Sequence, residues 1–186
     1  MKDRVLTKTL KSVLSPKYLL LFLMTNIVSL SFAQQRNGYL GLEAGVYIVE
    51  PYDPGVGAHF SGNAEVANDM FLGAEIGVVK FHRLDKVYLP LLARFSMMPA
   101  LRSGNARLLV VLAPGYGFYD DSYRRGGLYY KSIGGFAFYG GIGAAFKGKR
   151  NGYLTVTIGY STFGFTNAGY KSNIDGVGIR FGGLFR

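Results

Sequence analysis

The sequence contains no cysteine. That absence removes disulfides, a thiol nucleophile, cysteine-based metal centres and any acceptor for a lipid at an export cleavage site. Tryptophan is missing too, and only two histidines occur. Neither His59 nor His82 has a second histidine at ligand spacing, so no metal site and no cofactor are expected. A long amphipathic helical pattern is absent, and no glycine loop leads into a helix to cradle a phosphate. The one marked apolar run, Tyr18 to Met24, resumes at Ile27 after Thr25 and Asn26. It is too short and too interrupted for a spanning helix, which needs about 20 mostly apolar residues.

That run belongs to a leader. Lys2, Arg4, Lys8, Lys11 and Lys17 make a basic start, and Ser31-Phe32-Ala33 offers small residues where a signal peptidase cuts. Residues 1–33 are therefore expected to be a cleaved signal peptide, leaving 34–186 as one domain. Removing the five basic residues and Asp3 leaves 16 lysines and arginines against 10 aspartates and glutamates, a net charge of +6. These cations scatter over expected turns and loops, including Arg83, Lys86, Arg102, Lys149 and Arg150. In an exported chain that pattern fits anionic head groups and lipopolysaccharide phosphates rather than nucleic acid.

What the sequence has in abundance is glycine (27), tyrosine (14) and phenylalanine (14), a mixture typical of membrane strands with aromatic girdles. Downstream of residue 38 the hydropathy alternates with period two in eight stretches. The first sets Leu40, Leu42, Ala44, Val46 and Ile48 against Tyr39, Gly41, Glu43, Gly45 and Tyr47; the second, about Val56 to Val66, alternates less cleanly. The third and fourth set Leu72, Ala74, Ile76 and Val78 against Gly73, Glu75 and Gly77, and Leu89, Leu91, Ala93, Phe95 and Met97 against Arg94 and Ser96. The fifth carries Leu108, Val110, Leu112, Pro114, Tyr116 and Phe118 outward, although its inner row of Leu109, Val111 and Ala113 is also apolar. The last three place Phe136 to Phe146, Leu154 to Tyr160 and Val177 to Phe185 opposite small, hydroxylic or charged residues.

One face is thus lipid-like, and the other is small or polar. The expected fold is all-β, an eight-stranded antiparallel up-and-down transmembrane β-barrel. Asn68-Asp69, Pro99 to Ala106 and Gly148 to Asn151 are expected as periplasmic turns. The outer loops would be Glu50 to Gly55, His82 to Val87, Tyr119 to Ile133 and Thr166 to Asp175. A soluble lipocalin-like barrel would invert the two faces, which alternation alone cannot distinguish; the small-plus-charged row would make a very poor ligand cavity, which favours the membrane.

The inward charges form the first candidate site. Glu43, Glu75, Arg94 and Arg180 are expected in one layer of the lumen, with Glu65 slightly below. Neighbouring strands suggest Glu43 with Arg180 and Glu75 with Arg94, because charges in a narrow interior are tolerated only when paired. Such a plug argues against a channel. A second candidate is the third outer loop, where Tyr119, Asp120, Asp121, Tyr123, Arg124, Arg125, Tyr129 and Tyr130 mix aromatic anchors with charge.

Several motifs carry a family resemblance over nearly all of residues 39–186. They are Tyr88-Leu89-Pro90-Leu91, Ala113-Pro114-Gly115-Tyr116-Gly117-Phe118, Gly134-Gly135-Phe136 leading to Gly141-Ile142-Gly143, Gly159-Tyr160, and Gly178-Ile179-Arg180-Phe181-Gly182. In these the chain resembles the small outer-membrane β-barrel domain proteins common in the Bacteroidetes, related in shape to the OmpA transmembrane domain and OmpX. The resemblance implies a monomer in the outer membrane of a Gram-negative bacterium, met during assembly by the insertion machinery and surrounded by outer-membrane lipid and lipopolysaccharide. Such barrels usually end in an aromatic residue, whereas here Phe185 is penultimate and Arg186 last. The family mostly carries no assigned activity.

Residue type also offers an enzymatic alternative. His59, Ser61 and Glu65 or Glu75 resemble the His-x-Ser and distant glutamate of outer-membrane lipid A deacylases, in which histidine activates serine. Alternation turns His59 and Ser61 inward, away from lipid. The expected function is therefore non-enzymatic, structural or loop-mediated binding, with no catalytic residue.

Overall fold

The computed structural model describes residues 38–49, 53–82, 87–101, 105–125, 128–148, 152–167 and 170–186. The expected leader, residues 1–33, lies outside them. Nine strands form: β1 (Gly38–Val49), β2 (Asp53–Ala67), β3 (Met70–Phe81), β4 (Leu89–Met97), β5 (Ala106–Phe118), β6 (Asp120–Arg125), β7 (Leu128–Lys147), β8 (Tyr153–Asn167) and β9 (Tyr170–Phe185). All pairings are antiparallel, and β6 continues β5 on the same neighbour, β7. Eight staves therefore close a barrel, sealed by β1 against β9 and by β5 against β7.

The register measures the barrel. Starting at Gly38 and crossing from partner to partner leads through Ala64, Leu72, Phe95, Leu112, Gly140, Tyr160 and Val177 back to β1 at Ile48, ten residues further along. Eight strands with a shear of ten, a spacing of ~4.8 Å and a rise of ~3.3 Å imply strands tilted by about 40° and a backbone radius of about 8 Å. Side chains from opposite walls meet near the axis of such a cylinder. The interior is consequently a packed core.

The period-two pattern decides which row fills it. On every stave one row is exposed, including Leu42, Phe60, Ile76, Leu89, Leu112, Ile142, Ile158 and Ile179, while the alternate row is buried. The ambiguous fifth stretch places Leu109, Val111 and Ala113 inside and Leu112 and Phe118 outside. A lipocalin-like arrangement, apolar within and polar without, is thereby contradicted. The β2–β3 hairpin turns tightly at Asn68 and Asp69, where Asp69 adopts φ 60°, a left-handed conformation that aspartate tolerates better than most residues. We call this the lower end of the barrel; it also carries Gly38 of β1 and Phe185 of β9.

At the upper end two expected loops prove to be ribbons. Residues 119–133 pair with themselves, from Asp120 opposite Ile133 to Arg125 opposite Leu128. Likewise β8 and β9 pair from Asn167 opposite Tyr170 up to the barrel wall, within the stretch expected as the loop Thr166 to Asp175. The first expected loop also shortens, since β2 begins at Asp53. The physical reason is simple. Beyond the closed wall the strands no longer separate a packed interior from an apolar exterior, so the alternation that marks strands fades, yet antiparallel backbone pairing continues.

Candidate functional site

Strand by strand the shear raises residues of equal height by a little over one position. With that climb included, Glu43, His59, Glu75, Arg94 and Arg180 lie within about 4 Å of one another along the axis. All five are buried. Arg94 on β4 donates from Nη1 to Glu43 Oε2 at 2.8 Å and to Glu75 Oε2 at 2.7 Å, and from Nη2 to Glu43 Oε1 at 2.9 Å. Arg180 on β9 donates from Nη1 to Glu75 Oε1 at 2.7 Å. The two arginines and two glutamates thus form a neutral chain, Glu43 to Arg94 to Glu75 to Arg180.

The pairing differs from that expected in one respect. Glu75 does meet Arg94 on the neighbouring strand, but Glu43 reaches across the lumen to Arg94, and Arg180 reaches across to Glu75. At a radius of about 8 Å a long arginine spans to the opposite wall as readily as to its neighbour. Cross-lumen pairing also lets Glu43 take a two-pronged hydrogen bond, the geometry that guanidinium groups favour. Glu65 does not join the layer. It lies six residues along β2 from His59, about 15 Å lower on the axis, half-buried beside the irregularity between Glu65 and Ala67.

His59 takes the fifth place. Its Nδ1 lies 3.0 Å from Glu75 Oε1, and its Nε2 is hydrogen-bonded to the Tyr47 hydroxyl. Ser61, one inward position lower on β2, accepts instead from Asn63 Nδ2 at 3.0 Å. Both ring nitrogens of His59 are therefore directed away from Ser61, and the histidine–serine contact that nucleophilic acyl chemistry requires is not formed. Arg180 also stacks on Tyr139, with its guanidinium carbon 3.7 Å from the ring centroid, while the Tyr139 hydroxyl bonds Thr157 at 2.7 Å.

Aromatic side chains close the lumen on both sides of this layer. Above it, the Phe163 ring meets those of Phe81, Tyr47 and Tyr88 edge-on at 5.0, 5.2 and 5.3 Å, and Phe165 meets Tyr88 and Tyr119 at 5.2 Å each. Below it, Tyr39 packs against Phe71 and Tyr153 at 5.5 and 5.7 Å. Arg107 completes the lower end over the Tyr153 ring at 5.8 Å, bonding the Asp69 carboxylate and, at 2.9 Å, the Met98 carbonyl. Among the described residues, side chains thus occupy the bore at the charged layer and on both sides of it.

Sequence reading missed His59 as a member of the charged layer and missed the upper aromatic plug. The signal was available: Phe163 and Phe165 keep the inward parity of Thr155, Thr157 and Ser161, and Tyr88 keeps that of Arg94. Tyr119, expected in an exposed loop, is buried in this plug, because it holds the inward parity of Leu109 to Gly117. The other candidates at the rim are separated from it. Asp120, Asp121, Tyr123, Arg124 and Arg125 lie along β6, and Tyr129 and Tyr130 along the facing strand β7, with Tyr130 opposite Tyr123.

No protein-family model matches the chain, and no curated protein matches it in sequence. Among solved structures it is similar to the N-terminal β-barrel domain of Pseudomonas aeruginosa OprF, at 12% identity and a TM-score of 0.46 over 80% of this chain and 99% of that one. A major outer membrane protein from Thermus thermophilus gives 13% identity and a TM-score of 0.45 over 81% and 99% of the two chains. A transmembrane β-barrel designed de novo gives 14% and 0.39 over 82% and 98%. The eight-stranded closed barrel stands on the chain's own register.

Proposed function

We propose that the protein is an integral outer-membrane barrel, monomeric within its membrane, with no enzymatic role, whose lumen is sealed and whose upper ribbons serve a structural or binding purpose. One observation carries this reading: the molecule is inside out. Arg94, Arg180, Glu43 and Glu75 are buried while Leu42, Ile48, Phe60, Leu154 and Phe181 are exposed. Soluble monomers rarely expose contiguous apolar patches beyond a few hundred Å², whereas here such residues circle the whole wall. On β1 the exposed row runs from Leu40 to Ile48, about 20 Å along the axis, close to the apolar band of an outer-membrane barrel. Its partners are then outer-membrane lipid and lipopolysaccharide, with the barrel insertion machinery during assembly.

The same filled bore supports a structural or binding role over a solute channel, and the orientation of His59 supports it over lipid hydrolysis. Outer-membrane fractionation combined with a gel comparing unboiled and boiled protein in detergent tests the reading. The expected result is a band in the outer-membrane fraction whose mobility changes on boiling. Recovery as a soluble periplasmic protein without that shift would overturn it.

A further inference from the structure

The β6–β7 ribbon ends in an edge whose sequence complements itself. β6 pairs with β7 on one side, and among the described residues no strand pairs with its other side, so it terminates the sheet order. An open strand edge is a template for another strand. Its six residues read Asp120-Asp121-Ser122-Tyr123-Arg124-Arg125, two acids at one end and two arginines at the other. If a second copy of β6 lies antiparallel and in full register, Asp120 stands opposite Arg125, Asp121 opposite Arg124 and Ser122 opposite Tyr123. Two-fold symmetry repeats each match, giving four acid–arginine juxtapositions and no like-charge one. The other edge at this rim, the start of β9, offers nothing comparable: the same operation sets Tyr170 against Asp175 and Lys171 against Ile174.

Membrane geometry narrows the arrangement further. A two-fold axis along the membrane normal leaves a strand that climbs away from the membrane still climbing. Two copies in one membrane can therefore bring β6 edges together only in parallel, with Asp beside Asp and Arg beside Arg when in register. Antiparallel pairing needs an axis in the membrane plane. We infer that β6 is a homotypic contact strand that joins barrels in two apposed membranes, edge to edge, through its antiparallel self-complementary charges. This inference rests on the outer-membrane reading above and names a second copy of this chain as the partner of the upper ribbon. At the tilt of the barrel strands a six-residue ribbon rises about 15 Å, enough for two to overlap between closely facing surfaces.

The test uses the full mature chain in phosphatidylcholine vesicles, with clustering followed by turbidity and barrel folding checked by the boiling-dependent gel shift. Wild-type vesicles should cluster, and added salt should slow them, since salt screens attraction between opposite charges. The variants D120R/D121R and R124D/R125D each carry charges of one sign along β6, and each alone should cluster at least about tenfold more slowly. An equal mixture of the two should regain the wild-type rate, because every opposing pair is again acid against arginine. As an independent measurement, vesicles bearing Ser122→Cys mixed with vesicles bearing Tyr123→Cys should cross-link on oxidation in preference to either population alone; the native chain supplies no competing thiol. Folded wild-type barrels that leave vesicles dispersed, clustering indifferent to the charge variants, or cross-links without that preference would overturn the inference. Absence of the gel shift in the wild type would overturn the membrane-barrel reading and this inference with it.

Discussion

Replacing Arg94 by methionine should be the most damaging single change in the lumen, and the damage should be repairable by a second change. Arg94 donates to both oxygens of the Glu43 carboxylate and makes one of the hydrogen bonds to Glu75. Its loss leaves the Glu43 carboxyl buried with no arginine, while Glu75 keeps Arg180 at 2.7 Å. The layer loses one of its two guanidinium groups. Removing one member of a buried ion pair typically costs about 3–5 kcal/mol. The variant Glu43→Gln/Arg94→Met removes the orphaned carboxyl as well, and should therefore be less destabilised than Arg94→Met alone. A coupling of at least about 2 kcal/mol between the two positions is expected. The assay is urea unfolding in detergent or lipid, read by the fraction of protein migrating as the compact unboiled band. With a urea dependence of about 1–3 kcal/mol per molar, the single variant should shift the midpoint down by one molar or more. If Arg94→Met lies within about 1 kcal/mol of wild type, or if the double variant is simply the sum of the singles, the charged layer is not the coupled unit described.

Three further predictions concern the wall and the bore. A Cβ placed on Gly143 would lie 1.8 Å from the Val156 carbonyl oxygen, so Gly143→Ala should force β7 from β8 and lower stability by about 1–3 kcal/mol, measured by the same urea titration. Cysteines introduced singly at Val156 and Thr157 and labelled with a fluorophore should respond oppositely to brominated lipid, with quenching at Val156 alone; equal quenching would place both rows in one environment. Because aromatic plugs and the charged layer occupy the bore, the folded barrel in a planar bilayer should show no sustained conductance of porin size, and a steady large current would contradict the sealed lumen.

Much of this fold could be read from residue order because a closed barrel writes its two faces as two rows. Leu154, Val156, Ile158 and Tyr160 against Thr155, Thr157, Gly159 and Ser161 is such a row pair, and the structure turns the first outward. The fifth strand was the hardest to read, since its inward residues Leu109, Val111 and Ala113 are as apolar as their outward neighbours. The strand ends were illegible for a different reason. Between Tyr119 and Ile133 the sequence carries no two-row alternation, and only the backbone records the ribbon. Glu43 and Arg180 lie on adjacent strands, yet each finds its partner across the axis, a consequence of barrel radius and shear that no list of inward residues contains.

Those same dimensions give the charged layer a purpose beyond holding the wall together. A buried ion network contributes little net stability compared with a well-packed apolar core, because desolvation consumes most of its attraction. It does distinguish registers. If β4 slid by two residues against β3, the outward row of Leu89, Leu91, Ala93 and Phe95 would still present apolar side chains to lipid, and the alternation of faces would be preserved. Arg94, however, would move about 5 Å along the axis and leave Glu43 behind unpaired. The lipid-facing row is nearly blind to that slip, whereas the layer of Glu43, Glu75, Arg94 and Arg180 registers it at once. The alternating apolar row therefore chooses which side of each strand faces outward, and the four charges choose how far each strand advances before it closes on its neighbour.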